Sequence, residues 1–298
     1  MDTYTPEEKK VKEVFDSMDL EDKGVQIFMI RLGSKKDHLS VMSDSVSDFV
    51  EHNPAGGYML FAENIDNPEE TAKLSYSVKD ISDIKPFIGI DEEGGAVSRL
   101  LGRGFENYPE IPTAEAIGMT GNMQAAEETG AQIGRGLTSI GVNIDFAPVA
   151  DINSNPANNV IGNRSFSSSP DIVSNMSFAF STGLNREGVL SVFKHFPGHG
   201  DTQGDSHDES VFIEADINRL HSIEYKPFIN AIDNDAEFIL MGHISAPNVD
   251  SSGLPASLSS YFMTDLLRTE LGFKGIIITD AMDMGAITDN YTSSQASV

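Results

Sequence analysis

Short apolar runs, rich in β-branched and aromatic residues, recur along the chain and are separated by longer polar-amphipathic stretches. Seven read as strands: "GVQIFMI" (24–30), "GGYMLFA" (56–62), "PFIGID" (86–91), "GVNIDFAPV" (141–149), "VLSVFKHF" (189–196), "EFILMGHI" (237–244) and "GIIITDA" (275–281). Near-continuous apolar runs of this length suit strands covered on both faces, as in a parallel sheet. The intervening stretches predict helices. "NPEETAKLSYSVKDIS" begins with Pro behind an Asn cap, "NMQAAEETGAQIGRGLTSI" has helical spacing, and "LSSYFMTDLLRTELG" starts at a capping Ser and stops at Gly.

Alternation of strand and helix implies α/β architecture. Seven strands in 298 residues point to a (β/α)8 TIM-type barrel rather than a doubly wound sheet. The polar residues fall where such a barrel carries its chemistry: Asp91, Asp145, Asp151, Lys194, His195, His243 and Asp280 all sit at or just after C-terminal strand ends. After Asp280 only eighteen residues remain, ending in a polar tail. The expectation is therefore a single catalytic barrel domain over 1–298 that lacks its C-terminal βα element, with a further domain beyond Val298 left open.

Composition narrows the partners. With 20 basic against 46 acidic residues the net charge is −26, which opposes nucleic acid and anionic membrane surfaces as general partners. The chain contains no cysteine, so disulfides, thiolate nucleophiles and Cys-ligated zinc are excluded. No segment approaches the apolar length needed to span a bilayer. The N-terminal stretch shows no apolar core of a signal peptide, which fits a cytoplasmic protein if Met1 is native and an exported one if a leader has been removed. Oligomeric state is not legible.

The chemistry concentrates in "KHFPGHGDTQGDSHDES" (194–210), where three histidines, four carboxylates, a lysine and three glycines share seventeen residues. Such a stretch is too polar to be mainly core, and three readings are open. His195, His199, Asp201 and His207 could form the cluster of a metallohydrolase. Asp205 two residues before His207 could orient an imidazole for acid/base work. The segment could also be a solvated, glycine-rich turn. "GRGFEN" and "GRGLTSIG" lack the spacing and preceding strand of a phosphate loop, and the "NRS", "NMS" and "NYT" sequons are read as chance.

"KHFPGHGDT" followed by "DSH" resembles the signature of glycoside hydrolase family 3, in its β-N-acetylglucosaminidase branch. "GIDEEGGAVSRL", "FAPVADI", "VIGNRSF", "LMGHISAP" and "IIITDAMDMGAI" are similar to further family segments, in family order over residues 20 to 287. The resemblance implies a retaining exo-glycosidase that needs no cofactor or metal and acts on a small GlcNAc-containing glycoside, from peptidoglycan fragments or chitooligosaccharides. By that resemblance Asp280 is the nucleophile, and His207 the acid/base with Asp205 as its dyad partner. Asp91, Arg99, Arg164, Lys194 and His195 would bind the sugar. A β-N-acetylglucosaminide phosphorylase and a β-glucosidase or xylosidase on the same scaffold are the alternatives. Read without the resemblance, Asp280 could cap the following segment, Arg99 could pair with Glu92 or Glu93, and His195 could be a satisfied core imidazole.

Overall fold

The structure is a computed structural model that describes residues 5–33, 39–106, 108–202, 204–206 and 210–296. Seven parallel strands form one sheet: β1 (Met29–Arg31), β2 (Gly57–Met59), β3 (Phe87–Ile90), β4 (Ile144–Asp145), β5 (Leu190–Phe196), β7 (Phe238–Met241) and β9 (Ile276–Thr279), in that spatial order. The short strands β6 (Val211–Phe212) and β8 (Ile244–Ser245) pair separately, parallel to each other. Helices α1 (Pro6–Ser17), α2 (Leu20–Val25), α3 (Asp44–His52), α4 (Pro68–Ile81), α5 (Ala114–Met119), α6 (Met123–Ser139), α7 (Pro170–Arg186), α8 (Ile217–Ser222), α9 (Lys226–Asp233) and α10 (Gly285–Thr288) precede, connect or follow the strands.

The sheet is curled into an α/β barrel that stays open between β1 and β9, neither of which has a second neighbour among the described residues. The curl is visible in the inner core. Met29 from β1 and Ile278 from β9 pack against the same cluster of Ile144, Phe146, Val192, Phe238 and Leu240. Phe87 and Phe238 meet edge to face across this interior, with ring centroids 5.7 Å apart.

Alternation within the strands then decides what reaches the mouth. Leu190 and Val192 face inward, so Lys194 is the next inward position. Phe87 faces inward, and a Cβ on Gly89 would collide with Met29, Met59 and Phe146, which leaves Asp91 as the following inward side chain. Ile278 and Asp280 stand in the same relation on β9. The apolar interior thus ends in a charged layer at the C-terminal rim.

The predicted boundaries shift at three strands. Residues 24–25 belong to α2 rather than to a strand, because Asp19 and Asp22 form a reciprocal capping box that winds Leu20–Val25. The run 141–149 keeps only Ile144–Asp145 as strand, since Pro148 supplies no N–H for a longer ladder. The run 237–244 divides at Gly242 into β7 and β8. The predicted helices at 67–82 and 122–140 form with Asn67 and Asn122 as side-chain caps. The helix Tyr261–Glu270 is wound with π geometry, and the hydroxyl that caps it belongs to Ser259, which accepts from Phe262 N–H. Among the described residues no helix is long and apolar enough to cross a membrane.

Candidate active site

Four charged side chains interlock at the rim. Lys194 Nζ lies 2.8 Å from Asp91 Oδ1 and 2.6 Å from Glu93 Oε1. Arg164, on the short turn Gly162–Arg164, grips the Glu93 carboxylate with two bonds of 2.8 Å from Nε and Nη2. Two cations face two anions, so the cluster is internally neutral. Burial alone would push the Glu93 carboxyl up and the Lys194 ammonium down. The opposite charges outweigh it, holding Glu93 well below the usual carboxylate range and raising Lys194. Asp91 is part-exposed, and its Oδ2 has no partner among the described residues. It can accept a ligand hydroxyl.

A second layer lies under this one. Glu92 is buried, and its carboxylate accepts from the backbone N–H groups of Arg99 and Leu100 and from the Tyr108 hydroxyl. Its own N–H donates to Asp145 Oδ1 at 2.9 Å. Asp145 is fully buried with Oδ2 unpartnered. Burial pushes the Asp145 carboxyl well above its usual value, against the pull of the Glu92 N–H.

His195 follows Lys194 on β5. Its Nδ1 donates to Asp151 Oδ2 at 2.7 Å, and Asp151 also accepts the backbone N–H groups of His195 and His199. Buried Asp151 would be raised by desolvation, yet the His195 and His199 rings keep it below its usual range. With Nδ1 committed, His195 Nε2 has no partner among the described residues and is available to a ligand. His195 is therefore satisfied on one side only, which reconciles the core reading with the binding one.

Asp280 ends β9. Its backbone N–H donates to Met241 O, and its Oδ1 accepts from Ala281 N–H at 2.8 Å. Burial raises this carboxyl, but His195, His243, the Ala281 amide and Lys194 more than reverse the shift, and it stays anionic. His243 donates from Nε2 to Ala281 O at 2.9 Å and takes the Ser257 hydroxyl at Nδ1, 2.6 Å away. That bond fixes the residue following Asp280. The Ala281 contact is local, so the cap alternative survives for one oxygen of Asp280 and does not consume the other.

The remaining expectations are met unevenly. Arg99 pairs with neither Glu92 nor Glu93. Only its backbone contacts Glu92, and its guanidinium has no partner among the described residues. Asp205 is half-buried in the segment 204–206, and His207 lies outside the described residues. Ser206 between them makes two contacts: its hydroxyl is 3.3 Å from His199 Nε2, and its carbonyl accepts from Ala286 N–H of α10. His199 Nδ1 meets Thr202 Oγ1 at 2.7 Å, and Asp201 turns to Ser154 and Arg219. The metal cluster of His195, His199, Asp201 and His207 is thus not assembled by its described members. No group of three or more metal-ligating side chains stands together among the described residues.

The description "Glycosyl hydrolase family 3 N terminal domain" matches residues 19–298. The chain belongs to glycosyl hydrolase family 3. It is 34% identical over 287 residues to a protein named β-hexosaminidase A of Pseudoalteromonas piscicida, covering 87% of this chain and 46% of that protein. It is 33% identical over 247 residues to a β-hexosaminidase of Nitrosomonas eutropha, covering 82% of this chain and 70% of that one. Among solved structures, a family 3 β-N-acetylglucosaminidase from a Paenibacillus species superposes with a TM-score of 0.86 at 35% identity, over 92% of this chain and 51% of the other. The chain therefore spans about half the length of the first of these relatives. The family 3 barrel also uses residues that sequence reasoning did not rank: Glu93 as the hub of the charge cluster, and Asp151, His243 and Ser206 as supports. Asp151 and His243 stood at strand ends, and Glu93 and Ser206 lay inside the "GIDEEGGAVSRL" and "DSH" segments without a role assigned to them.

Proposed function

We propose that this family 3 barrel, residues 1–298 acting as one catalytic unit, serves a retaining exo-β-N-acetylglucosaminidase that releases terminal β-linked GlcNAc from peptidoglycan fragments or chitooligosaccharides. The observation that carries the reading is the convergence of anionic Asp280 with Asp91, Arg164, Lys194 and His195 on one charged rim. The names of the relatives support the sugar and the linkage.

In this reading Asp91 Oδ2 and His195 Nε2 take ring hydroxyls, and Arg99 supplies a further donor. Lys194 and Arg164 hold the carboxylates in place. An Asp280 oxygen attacks the anomeric carbon as the glycosidic C–O bond breaks, and the leaving oxygen takes a proton from His207, oriented by Asp205. Water then attacks the glycosyl-enzyme, gives its proton to His207 and frees the Asp280 carboxylate. An imidazole in the acid/base role returns to neutrality without adding a second anion near Asp280.

The test is hydrolysis of 4-nitrophenyl β-N-acetylglucosaminide beside the β-glucoside, with and without phosphate. The acetamido substrate should be preferred and phosphate should have no effect; phosphate-dependent sugar 1-phosphate would instead favour phosphorolysis. His207→Ala should abolish turnover of unactivated glycosides, a loss of about 10²–10⁴-fold, while glycosylation by substrates with good leaving groups persists. Equal loss on both would remove His207 from the acid/base role.

A further inference from the structure

The turn that carries His199 and Asp201 rests on a support away from the sugar site. Tyr225, at the start of α9, stacks under Phe196 with ring centroids 5.3 Å apart and planes inclined by 23°. Next to it, the Glu224 side chain lies against Gly198. Gly198 adopts φ +126°, and a Cβ there would sit 3.0 Å from Glu224 Cβ. Glu224 is buried, and its Oε1 accepts from Arg219 Nη2 at 2.9 Å. The same Nη2 lies 3.6 Å from Asp201 Oδ1. Two carboxylates from different segments thus share one guanidinium. On the opposite side, Asn158 Nδ2 donates to the carbonyls of His199 and Thr202, and a Cβ at Gly200 would collide with Ile152 O.

Burying a carboxylate costs several kcal/mol unless its partners offset it. Glu224 Oε2 and Arg219 Nε are buried without partners, so the pair is poorly arranged for stability alone. Burial pushes the Glu224 carboxyl up, against the pull of Arg219. What the geometry does well is hold Gly198 and Asp201 at fixed positions relative to the α8–α9 corner.

We propose that Arg219 and Glu224 are positioning residues for proton transfer, fixing the 197–201 turn from which the segment bearing Asp205 continues. This rests on the reading that this segment delivers the acid/base. Neither residue touches substrate in this account; both act through Gly198 and Asp201. Misplacing a proton donor by an ångström lowers only steps that need the proton.

The test uses the full chain with Arg219→Gln, Glu224→Gln and the conservative Arg219→Lys. Chitobiose needs leaving-group protonation; the nitrophenolate burst from 4-nitrophenyl β-N-acetylglucosaminide does not. Arg219→Gln and Glu224→Gln should lose about 10- to 100-fold in kcat on chitobiose with the burst rate held within about threefold. KM should stay unchanged and Arg219→Lys should recover part of the loss. Amide hydrogen exchange at 198–202 should accelerate in both Gln variants. Equal losses on the two substrates, accompanied by a lowered Tm, would show a merely structural pair and overturn the proposal. A wild-type chain inactive on both glycosides would overturn the functional reading instead. Exchange then judges the anchoring alone: acceleration confined to 198–202 upholds it, and unchanged exchange refutes it.

Discussion

Asp145 is the residue at which burial and charge are most directly opposed. Its Oδ1 holds the Glu92 N–H, its Oδ2 has no partner, and its carboxyl is raised well above the ordinary value. The folded state therefore keeps a proton that the unfolded chain releases near pH 4. By linkage, stability falls as pH rises from that point through the folded-state value, at about 1.4 kcal/mol per pH unit. Asparagine keeps the acceptor and never ionises. Asp145→Asn should match the wild-type Tm near pH 4 and exceed it at pH 7. A lower Tm at pH 7 would mean an ionised Asp145 paired with Lys194. The sequence places Asp145 at a strand end but contains nothing about its protonation, which depends on how completely the fold buries it.

At the scale of elements, the most extensive contact is between α6 and α7. A Cβ at Gly130 would collide with Phe180 O, and one at Gly183 with Glu127 O, so the two backbones approach each other through paired glycines. In an open helix, Gly→Ala stabilises by about 1 kcal/mol through propensity. Here the clash is with backbone, which cannot rotate away, and overpacking costs about 1–3 kcal/mol. Gly130→Ala should therefore lower the urea midpoint, and a raised midpoint would show that the helices stand farther apart. Of the two, α6 was readable from spacing and its Asn122 cap, whereas α7 was not singled out. Their close crossing was not readable either, because a glycine inside a helix pattern signals weakness in isolation and shows its use only against a neighbour.

For the whole molecule, the excess of 46 acidic over 20 basic residues governs the surface. Exposed pairs such as Arg135 with Glu128 and Arg186 with Glu127 are each worth little. The repulsion of a net −26 is summed over the whole surface and is screened by salt. Raising NaCl from low millimolar to physiological strength should therefore raise Tm at pH 7.5. A fall would show that the local ion pairs outweigh the collective repulsion. The cationic groups Lys194 and Arg164 are set inside this acidic shell and are neutralised by Asp91 and Glu93.

The parallel α/β class, the seven strands and the strand-end placement of Asp91, Lys194, His195 and Asp280 follow from the sequence, because apolar runs and their period are local properties. Alternation along a strand even places Asp91, Lys194 and Asp280 inward, though not His195, which sits where the β5 register shifts between Phe193 and Phe196. Tertiary structure decided the rest: that Arg164 rather than Arg99 holds Glu93, that Asp151 orients His195, that β1 and β9 are edges among the described residues, and that Arg219 bridges Glu224 to Asp201. Each of these joins side chains from distant segments, and a charge chooses its partner by distance and burial, which exist only once the chain is folded.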